Sequence, residues 1–143
     1  MRKKQSVWLI ITFVIIGYAA NQYLSEPETS PAQQQATIEQ IFQQKQSNVQ
    51  LEVTGKVIKL LRDDLDGSRH QKFLIKTPEG RTILIVHNID LAPRINTLEQ
   101  GDSITVYGEF EWNTKGGLLH WTHHDPAKRH PGGWIKHQNI TYQ

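Results

Sequence analysis

From Asn48 onward, apolar residues recur at every second position. Val49, Leu51 and Val53 alternate with Gln50, Glu52 and Thr54, the period of a half-buried strand. After Gly55 the phase slips, and Val57, Ile58, Leu60 and Leu61 are all apolar. A glycine followed by a slip predicts a bulge or strong bend in one long first strand. Asp63–Arg69 (DDLDGSR) is a turn into a second strand, His70–Thr77, with Phe73 and Ile75 facing one way. Pro78-Glu79-Gly80 turns into a third, Arg81–Asn88, where Ile83, Ile85 and His87 share a face. Ile89–Gln100 loses the alternation, and a helical turn is expected around Leu91–Leu98. Ser103–Trp112 is a fourth strand. Ile104, Val106, Phe110 and Trp112 face one side of it with Gly108 in register; Thr105, Tyr107, Glu109 and Glu111 face the other. Lys115-Gly116-Gly117 leads to a fifth strand, Leu118–His123. After a loop over Asp125–Gly133, Trp134–Tyr142 is read as a short closing strand.

The period is different before Asn48. Thr37 and Gln40 have the spacing of a capping box, and Ile38, Ile41 and Phe42 lie on one face of a short helix ending near Ser47. The fold expected is therefore mainly β: a small five-stranded OB-fold-like barrel with a short preceding helix. A small open sheet or SH3-like barrel is the alternative. Closing the barrel also protects the strand edges.

The N-terminus has a third pattern. Arg2, Lys3 and Lys4 precede Val7–Ala20 (VWLIITFVIIGYAA), which carries no charge. Its helix would be about 21 Å long, short of a hydrocarbon core of about 30 Å. The segment suits a signal peptide or a minimal anchor. Gly17 and Ala19 have the small-residue spacing for cleavage before Ala20, whereas Tyr18 and Tyr23 suit an interfacial anchor. The domains expected are a signal anchor or signal peptide over 1–24, a linker over 25–36 (Ser25–Gln35, with Pro27 and Pro31) and the barrel over 37–143. The basic residues before the apolar run place the chain beyond Leu24 outside the cytoplasm. The membrane partner is expected to be the inner membrane, through residues 7–24. The alternative is a cleaved domain, soluble in the periplasm.

Charge then narrows the partners. Of 16 Lys and Arg, three precede the apolar segment, so 13 face 14 Asp and Glu. The chain beyond the basic N-terminus therefore lacks the large basic surplus with which nucleic-acid binders neutralise phosphates, although a local patch would not show in the total. There is no cysteine, which removes disulfides, thiolate metal sites and cysteine nucleophiles.

All 7 histidines fall between His70 and His137. His120, His123 and His124, followed by Asp125, form the stretch HWTHHDP; imidazoles with a carboxylate suit Zn²⁺ or a similar divalent ion. His70 begins the second strand and His87 ends the third, so a hairpin puts them near the same end. The candidate metal set is His70, His87, His120, His123, His124 and Asp125. The competing reading makes His87 a hydrogen-bonded, partly buried histidine and the HWTHHDP group structural or pH-responsive. Asp63, Asp64 and Asp66 with Gly67 open like a calcium loop but lack its bidentate glutamate. Trp121 and Trp134 are candidates for stacking on a base or sugar, with Arg69 and Arg94 as candidate anion contacts. Trp112 and Phe110 lie in the apolar phase and are assigned to the core. Asp90 and Arg94 equally fit an ion pair or a cap.

LRDDLDGSRHQKF at 61–73, HNIDLAPRI at 87–95, GDSITVYGEFEWN at 101–113 and GGLLHWTHHDPAKRHPGGWIKH at 116–137 together resemble one bacterial family, known as domain of unknown function 3465. The resemblance runs from about Thr37 to Gln143 and implies a Gram-negative envelope setting; it implies no activity. GRTILIVHNIDLAP also resembles a strand and turn of staphylococcal-type nucleases, which are OB-folds. Arg94 stands where their glutamate would be and their Asp-Gly-Asp-Thr segment is absent, so only the fold carries over. Three functions are expected from these features. The first is an anchored or periplasmic binding module for a small ligand, glycan, oligonucleotide or protein. The second is a metal-dependent hydrolase of the phosphodiesterase or nuclease kind. The third is a pH-responsive structural envelope protein.

Overall fold

A computed structural model describes residues 37–143. The expected signal or anchor and its linker lie outside the described residues. Among the described residues, no helix is long and apolar enough to cross a membrane.

The elements are helix α1 (Ile38–Gln43) and strands β1 (Val49–Leu60), β2 (His70–Lys76), β3 (Thr82–Asn88), β4 (Ser103–Glu111), β5 (Leu118–His120), β6 (Trp134–His137) and β7 (Ile140–Tyr142). β1, β2, β3, β5 and β4 pair in that order, and β4 pairs back to β1, closing a five-stranded barrel. Every pairing is antiparallel except β3 with β5. This is the OB-fold-like barrel the alternation predicts. Inward positions at period two supply its core: Leu51, Val53, Phe73, Ile75, Ile83, Ile85, Ile104, Val106, Phe110 and Leu119 are buried. β1 serves both β2 and β4 because it bends. The register slips between Val57 and Lys59, leaving Ile58 as the bulged residue. Gly55 lies just before the slip, where a Cβ would come 2.8 Å from the Lys76 carbonyl oxygen.

α1 ends at Gln43, shorter than the spacing suggests. The Thr37/Gln40 capping box forms, and Ile38 and Ile41 are buried in the core. Arg81 ties the helix to β3. Its guanidinium makes two 2.6 Å hydrogen bonds to Glu39 and sits 3.6 Å from the Phe42 ring centroid.

Three segments differ from the periodicity reading. The expected helical turn around Leu91–Leu98 is a string of turns. Pro93 has no N–H to donate, and the Gln71 side chain takes both backbone groups of Ile95, at 3.0 and 2.9 Å. Ala92, Ile95 and Leu98 are buried even so. β5 stops at His120, short of His123, because Trp121 adopts φ 51°. The closing strand is a hairpin. Gln138 and Asn139 both have positive φ, at 48° and 64°, as a two-residue turn of the primed type requires. β6 pairs on β4 beside β5 and β7 pairs on β6, so two strands lie outside the ring.

Candidate functional site

Because β3 and β5 run parallel, their C-terminal ends emerge together, next to the start of β2. Three chain segments thus converge there. His70 opens β2 opposite Asn88 at the end of β3, and His120 ends β5. The left-handed turn at Trp121 then folds Thr122 and His123 back over the barrel. His70, Val86, Asn88, Leu91, His120, Trp121 and His123 line a cleft of about 360 Å³ at this end. No carboxylate or guanidinium is among them. A wider hollow of about 540 Å³ lies at the other end of β2, around Lys56, Ile58, Lys76 and Pro78. Among the described residues its ionisable lining groups are two lysines, Lys56 and Lys76, so size favours that hollow and chemistry favours the histidine cleft.

His87 sits behind the cleft, fully buried. Its Nε2–H donates to the Pro93 carbonyl at 3.1 Å, so Nδ1 accepts from the Thr122 hydroxyl at 2.8 Å. Neither nitrogen keeps a lone pair for a metal. Burial above all, with the neighbouring His123 and His70 acting in the same direction, pushes its pKa down to about 4. The imidazole is thus a neutral strut joining β3 to the loop that carries Trp121 and His123.

The other candidates separate. His123 is buried, with Nδ1 donating to the His124 carbonyl at 2.7 Å, while His124 is exposed. Asp125 accepts the backbone N–H groups of Ala127, Arg129 and His130 at 2.7–2.9 Å. Those bonds hold its carboxyl below the usual range and make it a loop cap. Arg69 pairs with Asp90 at 2.6 Å and Arg94 with Asp63 at 2.8 Å; neither lines the cleft. Trp134 lies apart on β6, stacked on Tyr107 at 5.7 Å with the Lys136 ammonium 4.3 Å from its ring. His137, on the same strand, bonds Asp102 at 2.8 Å.

Sequence reasoning passed over a second group beside the cleft. Glu109 lies directly opposite His120 across the β4–β5 pair, and Glu111 is two residues further along the same face. The His120 Nε2 is 3.4 Å from Glu109 and 3.9 Å from Glu111. From the loop, His130 bonds the other Glu109 oxygen at 2.8 Å and stacks on Trp121 with centroids 4.0 Å apart. Burial pulls the His130 pKa down, but its bonds to Glu109 and the Pro131 carbonyl outweigh that and leave it raised. The signal was present in the sequence: two glutamates at period two on the polar face of β4. Pairing them with His120 required the register of the β4–β5 hairpin.

Two close approaches keep this geometry. A Cβ on Gly108 would lie 2.3 Å from the His120 carbonyl oxygen, and one on Gly133 would lie 2.1 Å from that of Trp121. Only glycine lets β4 and the start of β6 run this close to the turn.

No curated protein and no solved structure matches the chain. Residues 22–143 match the family model described as protein of unknown function (DUF3465), and the chain belongs to that family.

Proposed function

We propose that this barrel is a binding module, held outside the cytoplasm by the N-terminal segment, and that it takes a small ligand in the cleft between His70, Leu91, His120, Trp121 and His123. The observation that carries this reading is the convergence itself. Side chains from β2, β3, β5 and two loops meet in one concavity, with imidazole and amide groups around apolar Val86 and Leu91. Its volume is near the lower end of small-molecule sites, roughly 300–1,000 Å³. That favours a group the size of one sugar, one nucleotide or a short peptide end over a folded protein surface. The imidazoles offer hydrogen-bond donors and acceptors. The exported setting rests on the Arg2–Leu24 pattern in the sequence.

The test is titration of the full-length chain with separate panels of saccharides, mononucleotides and peptides, read by tryptophan fluorescence. One class should give a saturable change, and Leu91→Asp should abolish it while circular dichroism stays native. A flat response to every class, or a response that survives Leu91→Asp, would overturn the assignment.

A further inference from the structure

We propose that Glu109, Glu111 and His120 bind one divalent transition-metal ion on the outer face of the β4–β5 hairpin, with His130 as the positioning residue for Glu109. One ligand atom from each of the three residues falls within 4.8 Å of the others. Two ligands each about 2.1 Å from a tetrahedral ion stand about 3.4 Å apart. That is the separation found between the His120 Nε2 and the Glu109 oxygen. It is also too long for a good hydrogen bond, and the solvent-shielded Nε2 has no hydrogen-bond partner among the described residues. An imidazole nitrogen directed at two carboxylates without bonding either is arranged for a cation between them.

Charge supports the same conclusion. Glu109 and Glu111 stand side by side, and their ion-pair partners among the described residues are histidines, with no lysine or arginine. Two adjacent carboxylates in a half-buried setting repel one another unless a proton or cation intervenes. The His130 bond occupies the second Glu109 oxygen, and the Trp121 ring fixes His130 from behind. Such outer support commonly orients metal-binding carboxylates. One imidazole with two carboxylates favours Zn²⁺ or its first-row neighbours over Ca²⁺ or Mg²⁺, which prefer all-oxygen sets. Three protein ligands leave coordination positions open.

The test uses full-length chain, purified without a polyhistidine tag and stripped with chelator. It is titrated with Zn²⁺ by calorimetry and with Co²⁺ by visible absorption. One equivalent should bind, with the Co²⁺ bands of a site containing nitrogen and oxygen ligands. Glu111→Gln, which removes a carboxylate whose only ion-pair partner among the described residues is His120, should weaken binding at least about tenfold, and His130→Gln about tenfold. His124→Ala should leave it unchanged. An unaltered unfolding midpoint for Glu111→Gln without metal would assign its loss to coordination. No uptake by the folded wild-type chain would overturn the proposal, as would uptake undiminished in Glu111→Gln and His120→Asn. Either failure leaves ligand binding in the cleft intact, because that binding needs no metal and, of the three ligands, His120 alone lines the cleft.

Discussion

At the scale of single residues, His87 carries the clearest consequence. A histidine on an apolar strand face can be a ligand or a strut, and its two hydrogen bonds make it a strut. Its folded pKa of about 4 lies below the ordinary 6.5, so the unfolded chain binds the extra proton first. The stability it contributes is complete above pH 6.5 and is lost as pH falls toward 4, about 3 kcal/mol in all. His70 and His123 face it, and their influence is contained in that shift. His130 acts in the opposite sense, its bond to Glu109 favouring the charged ring. The carboxylates with depressed pKa values, such as Asp90 and Asp125, lose their contribution only at lower pH. Urea midpoints measured at pH 7 and pH 4.5 should therefore fall in acid for the wild type. His87→Asn should be less stable at pH 7 and show a much smaller acid loss. Parallel pH dependence in the two proteins would contradict this account of His87.

At the scale of elements, the β4–β5 hairpin and the turn after it decide the site. Gly108→Ala forces a methyl group against the His120 carbonyl, and the misfit should cost about 3 kcal/mol. Thermal unfolding checks this, and the same variant should lose Co²⁺ binding because His120 moves. On α1, Arg81→Ala removes both the pair with Glu39 and the cover over Phe42. A loss of about 1–2 kcal/mol is expected, with hydrogen exchange speeding up over Ile38–Gln43 and little change in β4. The strands themselves were legible in the sequence, because alternation at Phe73–Ile75, Ile83–His87 and Ile104–Phe110 records which face is buried. The phase slip after Gly55 likewise announced the bulge at Ile58. What alternation does not encode is where a strand ends. Tryptophan rarely takes positive φ, so nothing local marked β5 as finished at His120. The Gln71–Ile95 clamp joins residues from separate elements and was equally hidden. The candidate site was legible in part for the same reason: His70, His120, His123 and Trp121 converge in the fold, whereas Glu109, Glu111 and His130 are placed only by strand register and loop return.

At the scale of the whole molecule, two features stand out: a basic, then apolar N-terminus and a barrel that brings His70, His120 and His123 together at one end. An alkaline phosphatase fused after Gln143 should be active in cells if the chain is exported and inactive if it stays inside; deleting Val7–Ala20 should silence it. The end of the barrel that carries His70, His120 and His123 is the one proposed to receive a ligand. Imidazole resonances of isotope-labelled full-length chain, tracked by NMR during titration with the class that changes the fluorescence, test it most directly. The His70, His120 and His123 signals should shift together and saturate, while His137, held to Asp102 on β6, should stay in place. Shifts confined to His137, or histidine signals that do not move as the ligand saturates, would contradict the assignment.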